Sequence, residues 1–192
     1  CEMGMNHKGE IARLSAMARP SLGLITNVGP CHIENLGSLK NVAPAKSEIM
    51  EGMQSGGKLF IHQDIVYKNI FQEKAKKKNM EIQTFTIQTE KDIQVKKIRR
   101  NGFELSLFGR TMQWKIPGVK ILENLAGAVA VGQELGLQKD KMKKSISSFK
   151  AKDKRFVIEK GIYRLINDTY NANPDSMKSS LLALKQVASH TP

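Results

Sequence analysis

Residues 22–30 read LGLITNVGP, a short apolar run that ends in a polar pair and then in Gly29-Pro30. This pattern is typical of a buried strand whose carboxyl end opens into a loop. Further along, the apolar positions of residues 42–53 predict a helix that stops at Gly56-Gly57, and residues 58–61 predict a second short strand. Because strands alternate with helices, the sequence predicts an α/β layer with a mostly parallel sheet.

A different pattern occupies residues 93–116, where apolar and polar residues alternate on both sides of Asn101-Gly102. Asn-Gly is a strong signal for a two-residue hairpin turn. The stretch therefore predicts a small three-stranded antiparallel meander, which Pro117-Gly118 closes. Two helices are predicted next, one over residues 123–136 with many small side chains and one near residues 140–149 with many lysines.

The last part of the chain predicts the start of a further domain. Near Ala151 the composition becomes charged and linker-like, and residues 163–166 then predict a strand, followed by a polar loop and a helix to residue 188. We interpret this as the first β-loop-α unit of a Rossmann-like domain. The expected division is a partial central domain over residues 1–152 and the start of a C-terminal domain over residues 153–192.

The composition is that of a globular protein. Of 192 residues, 40% are hydrophobic and 26% are charged, which excludes global disorder. No apolar run approaches the roughly 20 residues that span a bilayer, and no secretory leader is evident. Two cysteines fit a reducing cytoplasm. Since the chain starts at Cys1 and stops after a helical pattern, we expect it to be a piece of a longer cytoplasmic protein without a membrane partner.

The net charge of +13 is concentrated in two windows. Residues 68–100 carry 10 basic and 4 acidic side chains, and residues 139–164 carry 10 and 3. Such windows fit a phosphate-rich partner, either a nucleotide or a nucleic acid, but they also fit solvated helix faces. Aromatic residues are not interleaved with the lysines, which disfavours a single-strand-binding surface. A basic, non-catalytic nucleic-acid-binding module remains the alternative function.

Three polar clusters lie where α/β folds bind ligands, in loops beyond the carboxyl ends of strands. They are Glu2 with residues 3–10, residues 26–32 followed by Lys46, and residues 167–174. Each also fits ordinary turn chemistry. His32 alone fits a hydrogen-bonded loop histidine, Lys46 an exposed helix lysine, and the segment at residues 173–176 a helix cap.

Taken in order, these segments resemble the Mur ligases. The matching residues are Glu2-Met3-Gly4 with Gly9-Glu10-Ile11, ITNVGPCHIENLGS (25–38), Ala45-Lys46-Ser47-Glu48, ENLAGAVAVGQELG (123–136), Arg155 and NDTYNANPDSM (167–177). The resemblance covers nearly the whole chain. It implies an ATP-dependent amide ligase of peptidoglycan synthesis, needed for cell shape and division, that phosphorylates a peptide carboxylate and lets an amine attack the acyl phosphate.

The string YNANP at residues 170–174 resembles one branch of the family in particular. That branch adds D-alanyl-D-alanine to UDP-N-acetylmuramoyl-tripeptide, so the resemblance implies these two small-molecule substrates and a monomeric enzyme. A sibling such as folate polyglutamate synthetase is the alternative within the family, and YNANP argues against it.

The resemblance also implies site residues. Mg²⁺ would be held by Glu2, His32 and Lys46, the last acting as an oxygen ligand if it is carbamylated. Glu2 is the hard-oxygen ligand that Mg²⁺ prefers. The implied catalytic residues are Lys46, Arg155 and Asp168. The implied ATP-binding residues are Asn124, Arg155, Asp168, Tyr170, Asn171 and Asn173.

The sequence departs from the family pattern at several points. No Gly-x-x-x-x-Gly-Lys-[Ser/Thr] phosphate-binding string occurs, and the UDP-sugar domain and most of the C-terminal domain are absent. Lys120-Ile121 stands where His-Asn is usual, His62-Gln63 where an asparagine is expected, and Asp153-Lys154 where a glycine precedes the arginine. We therefore expect the isolated chain to be inactive, although its parent enzyme ligates.

Overall fold

The computed structural model describes residues 1–30, 33–87, 92–151, 154–160 and 164–188. The chain divides into two compact units, Cys1–Thr86 and Ile87–Pro192. The elements of the first unit are, in chain order, α1 (Glu10–Ala18), β1 (Leu22–Ile25), α2 (Ile33–Leu36), α3 (Leu39–Ser47), α4 (Ile49–Gly52), β2 (Lys58–His62), α5 (Lys68–Lys77) and β3 (Glu81–Phe85).

The first unit is built on a three-stranded parallel sheet in the order β1-β2-β3. Its central strand buries Leu59, Phe60 and Ile61 completely. Three consecutive buried apolar residues are typical of a parallel strand covered on both faces. Val42 and Phe71 on the helices belong to the adjoining hydrophobic core. The predicted parallel α/β layer is confirmed.

The helix predicted over residues 42–53 is in fact two helices, α3 and α4, with Glu48 between them. Around this junction the backbone bonds span three residues, from Glu48 N–H to Ala45 O at 3.2 Å and from Glu51 N–H to Glu48 O at 2.8 Å. Such bonds tighten the chain relative to an α-helix. The sequence pattern did not show the break, because Glu48 keeps helical backbone angles, with φ −61° and ψ −19°.

In its described residues, the second unit contains two small antiparallel sheets, β4-β5-β6 and β7-β8, with three helices. Its elements are β4 (Ile93–Arg99), β5 (Gly102–Leu107), β6 (Arg110–Trp114), α6 (Val119–Glu134), α7 (Lys139–Ser148), β7 (Val157–Lys160), β8 (Arg164–Asn167) and α8 (Pro174–Ala188). Along β5, Phe103, Leu105 and Leu107 are buried and point to one face, as period-2 alternation requires. The predicted meander is confirmed.

The hairpin turn lies one residue earlier than the Asn101-Gly102 signal suggests. Arg99 pairs with Gly102, so the two turn residues are Arg100 and Asn101. Gly102 has φ 139°, and a Cβ built there would lie 1.9 Å from the carbonyl oxygen of Trp114. The glycine is therefore required by the close approach of β6 rather than by the turn itself.

Helix α8 is attached to the hairpin within the second unit. Gln186 Nε2 donates to the carbonyl oxygens of Arg99 at 2.8 Å and Gly102 at 2.9 Å, and its Oε1 accepts from Gly118 N–H at 3.2 Å.

Helix α6 begins at Val119, four residues before the predicted start. The domain boundary after residue 152 stays a prediction. Within the described residues, no helix has both the length and the hydropathy to cross a membrane.

Candidate functional site

The loop that carries Glu2 is closed on itself at the start of α1. The side chain of Glu2 is exposed, whereas Met5 is buried in the core of the first unit. Glu10 Oε2 accepts hydrogen bonds from the backbone N–H of Asn6 at 2.5 Å and of His7 at 3.0 Å. These bonds, first the one from Asn6 and then the one from His7, hold the pKa of Glu10 below its usual range. The loop therefore has a defined shape.

A second carboxylate joins this loop to the helices behind it. Glu48 Oε1 and Oε2 accept from Gly9 N–H at 2.9 and 2.8 Å, and Oε2 makes a longer contact of 3.4 Å to Ala12 N–H. Sequence reasoning missed this role. The available signal was a glycine, which has no capping side chain, directly before a helical pattern.

Lys46 lies on α3, half-buried, and its side-chain Nζ makes no hydrogen bond or ion pair with any residue that the structure describes. Lys74 differs, since its Nζ lies 2.7 Å from Glu51 Oε1 and 3.3 Å from Ser47 Oγ. The hydrogen bonds from Lys74 and then Lys78 lower the pKa of Glu51. Among the described residues, the Lys46 side chain is thus without a partner, whereas Lys74 is paired with Glu51.

The predicted metal site lies only partly among the described residues. In the described part of the chain, no three His, Cys, Asp or Glu side chains are placed to share a metal ion, and His32 lies outside that part. Mg²⁺ is commonly held by one or two carboxylates, with water and phosphate completing its shell. Glu2 offers such a carboxylate, and Lys46 becomes an oxygen donor only on carbamylation. Glu2 and a carbamylated Lys46 are thus oxygen donors of the kind that Mg²⁺ binds, and their role as ligands of one ion stays a prediction.

Arg155 lies in a curled stretch of backbone, residues 154–156, which we call the Arg155 curl. The residues on either side, Lys154 and Phe156, have left-handed φ angles of 58° and 53°. Phe156 is buried while Arg155 is exposed. The Arg155 guanidinium lies 4.1 Å from the centroid of the Tyr170 ring, within the range of a cation–π contact. The curl and the ring together orient a permanent positive charge towards solvent.

Asp168 supports the same structure. Its Oδ1 accepts from Phe156 N–H at 2.9 Å and its Oδ2 accepts from the Ser180 hydroxyl on α8. The carboxylate therefore connects the loop after β8 to both the Arg155 curl and α8. Each carboxylate oxygen can accept more than one hydrogen bond, and the role of Asp168 as a nucleotide ligand stays a prediction. Ser180 was not singled out from the sequence.

Asn173 caps α8, as the helix-cap interpretation of this segment predicts. Its Oδ1 accepts from Ser176 N–H at 2.9 Å, and Ser176 Oγ accepts from Asn173 N–H at 3.0 Å. This reciprocal pair, followed by Pro174 at the first helical position, is a strong N-terminal signal. Asn171 Oδ1 accepts from Ala172 N–H at 2.8 Å. Both asparagines thus shape the loop, and their contacts to ATP stay predictions.

Asn124 is exposed on α6. The neighbouring Glu123 accepts a hydrogen bond from Ile87 N–H through its Oε2, at 3.1 Å. The second unit therefore holds the candidate nucleotide residues Asn124, Arg155, Asp168 and Tyr170, and the first unit holds Glu2 and Lys46.

The parallel sheet of the first unit, with polar loops at its strand ends, defines an α/β protein, and proteins of this class bind ligands beyond the carboxyl ends of their strands. The Mur ligase middle domain matches residues 1–132. This chain belongs to the Mur ligase family.

The chain is similar to two curated ligases in particular. It is 32% identical over 188 residues to the UDP-N-acetylmuramoyl-tripeptide–D-alanyl-D-alanine ligase of Bacillus subtilis (strain 168), covering 94% of this chain and 39% of the relative. For the ligase of the same name from Escherichia coli (strain K12) the identity is 27% over 202 residues, covering 97% and 43%. The chain thus spans about two fifths of the length of these relatives.

Solved structures agree with this assignment. MurF from Acinetobacter baumannii superposes with a TM-score of 0.83 at 26% identity, covering 95% of this chain and 41% of that chain. MurF from Thermotoga maritima in complex with ADP gives a TM-score of 0.80 at 23% identity, covering 96% and 44%. The latter likeness shows the shared fold.

Proposed function

We propose that this chain forms part of an ATP-dependent ligase that joins D-alanyl-D-alanine to UDP-N-acetylmuramoyl-tripeptide. The observation that carries the proposal is the extent of the match to the Bacillus subtilis ligase, which covers 94% of the chain and so spans both units. Because no phosphate-binding P-loop string occurs in these residues, the phosphate cradle has to come from outside them. The proposal therefore concerns the complete enzyme.

The proposed reaction has two steps. A carboxylate oxygen of the tripeptide attacks the γ-phosphorus of ATP, forming an acyl phosphate and releasing ADP. The amine of D-alanyl-D-alanine then attacks the acyl carbon, phosphate leaves, and an amide bond with loss of a proton results. Phosphoryl transfer depends mainly on positioning and on neutralising the charge of the transferred group. Mg²⁺, when bound, supplies part of that neutralisation.

The residues of this chain have separate roles in the proposal. Lys46 supplies positive charge or, once carbamylated, an oxygen ligand beside Glu2. Arg155 presents its guanidinium to the nucleotide phosphates, and domain closure would then exclude water from the acyl phosphate. Asn124 is proposed to contact the adenine. Asp168 fixes the Arg155 curl through Phe156 N–H.

We expect the enzyme to work as a monomer in the cytoplasm, without a nucleic-acid partner. Several lysines of the two basic windows are paired with acids, which supports the solvated-surface interpretation. Lys74 and Lys78 both lie 2.7 Å from Glu51, and Lys143 lies 2.5 Å from Asp140. Paired cations contribute less to phosphate binding, because their partners compete for the same charge.

A chimeric enzyme tests the proposal. The segment of the Bacillus subtilis ligase that aligns with this chain is replaced by the chain itself, and phosphate release is measured. We expect release that requires ATP and both peptide substrates. Lys46→Ala should abolish it, whereas Lys40→Ala, which changes an exposed lysine on the same helix, should leave it. A chimera that melts cooperatively near the temperature of the parent ligase yet releases no phosphate would contradict the proposal.

A further inference from the structure

Helix α1 begins without a cap of its own. The N-cap residue is Gly9, with φ 93° and no side chain to accept a hydrogen bond from the first turn. The first N–H groups of a helix have no partner within the helix and need an acceptor from elsewhere. Glu48 provides it from 39 residues further along the chain, through its two bonds to Gly9 N–H and its longer contact to Ala12 N–H.

Glu48 is well suited to hold α1 in place. The residue is only 7% exposed, so water competes little for its carboxylate oxygens. The acceptor is charged and lies at a helix N-terminus, and both features strengthen the bonds. Two further contacts attach α1 to α4: the Ser15 hydroxyl donates to Ile49 O, and a Cβ at Gly52 would lie 2.1 Å from the Ser15 carbonyl carbon.

Glu48 stands between the two candidate ligand segments of the first unit. Lys46 lies two residues before Glu48, near the end of α3. On the other side, Gly9 ends the loop that begins with Glu2. Because Glu10 closes that loop through Asn6 and His7 N–H, fixing its end at Gly9 also restricts where Glu2 lies. We propose that Glu48 is a positioning residue that sets the location of the Glu2 loop relative to Lys46.

The importance of Glu48 for ligation rests on the proposed function. Its bonds to Gly9 and Ala12, which we call the Glu48 clamp, do not depend on that function. The first test is amide hydrogen exchange of the full chain without substrates. We expect Glu48→Gln, which keeps the side-chain volume and one neutral acceptor, to speed exchange at Gly9 and Ala12 roughly tenfold. Glu48→Ala should speed it further. Unchanged exchange in Glu48→Gln would show that the residue only fills space, and would overturn the inference.

The second test measures the distance between the two segments. Spin labels are attached at the exposed Cys1, next to Glu2, and at Lys40→Cys, exposed on α3, with Cys31→Ser preventing a third label. Pulsed electron resonance should give a narrow distance distribution in the parent and a clearly broader one in Glu48→Gln. A distribution of the same width in both would refute a positioning role.

Glu51→Gln is the matched control. Glu51 lies three residues further on and bonds to Lys74 and Lys78 instead of to α1, so its loss should leave the label distribution and the exchange at Gly9 unchanged. If Glu51→Gln broadened the distribution equally, general loosening would be the cause and the inference would fail. If both tests support the Glu48 clamp but the chimera releases no phosphate, the result counts against the ligase proposal alone.

Discussion

Replacing Asp168 tests whether its carboxylate holds the Arg155 curl in place. Asp168→Ala removes the acceptor of Phe156 N–H, at 2.9 Å, and of the Ser180 hydroxyl. A hydrogen bond to a charged group contributes about 1.5–3 kcal/mol, and since the site is part-exposed we take the lower value for both bonds. The expected loss is about 3 kcal/mol for the second unit. Asp168→Asn keeps one amide oxygen for Phe156 N–H and should cost about 1 kcal/mol.

Urea unfolding followed by tryptophan fluorescence measures this loss. Trp114 is the single tryptophan of the chain, it is buried in the second unit, and it stacks on Phe149 at a centroid distance of 5.6 Å. With a slope of about 2 kcal/mol per molar urea, the Asp168→Ala midpoint should fall by roughly 1.5 M.

The control for this experiment is Asp175→Ala. Asp175 is exposed in the first turn of α8, and its loss should lower stability by less than about 1 kcal/mol through the helix dipole. If Asp168→Ala and Asp175→Ala shift the midpoint equally, the carboxylate of Asp168 has no special structural role. Its prediction as a direct nucleotide ligand would then gain weight.

Substitutions at three further positions probe other contacts. Gly52→Ala should lower the free energy of unfolding by about 1–3 kcal/mol, because the new Cβ overlaps the α1 backbone; an unchanged melting temperature would refute the close packing. The hydrogen bond from Lys74 lowers the pKa of Glu51, so that contribution is present above pH 4.5 and is lost as the pH falls below it. Glu51→Gln should therefore be less stable at pH 7, by under about 1 kcal/mol since the pair is solvent-screened, and equal to the parent in acid; a constant difference would contradict this. Tyr170→Leu should remove the ring-current shift of the Arg155 side-chain protons in NMR spectra, whereas Tyr170→Phe should keep it.

The fold elements that depend on local patterns were predicted well from the sequence. The apolar runs at β1 and β2 and the period-2 alternation of the meander each need no distant partner to be recognised. Strand β7 was missed, because residues 157–160 include charged side chains and lie in a stretch that resembles a linker. The predicted hairpin turn was one residue too late, because Gly102 belongs to β5 and is required by the nearby backbone of β6 rather than by the turn.

The candidate site was predicted in its residues more than in its contacts. The resemblance to the Mur ligases picked out Lys46, Arg155 and Asp168, but whether a carboxylate faces a ligand or a backbone amide depends on elements far away in the chain. Asp168 bonds to Ser180 only because α8 packs beside its loop. Glu48 belongs to one of the matching segments, but its bonds to Gly9 join residues that lie 39 apart in the chain and cannot be read from the sequence.

The backbone on either side of Arg155 has a consequence for how this surface tolerates change. Lys154 and Phe156 both have positive φ angles, a conformation that glycine, asparagine and aspartate adopt most easily and that β-branched residues resist. Natural drift or laboratory selection should therefore accept asparagine or glycine at position 154 while the guanidinium keeps its direction. Valine or isoleucine there would instead swing the arginine away from the aromatic ring and disable it without touching its charge.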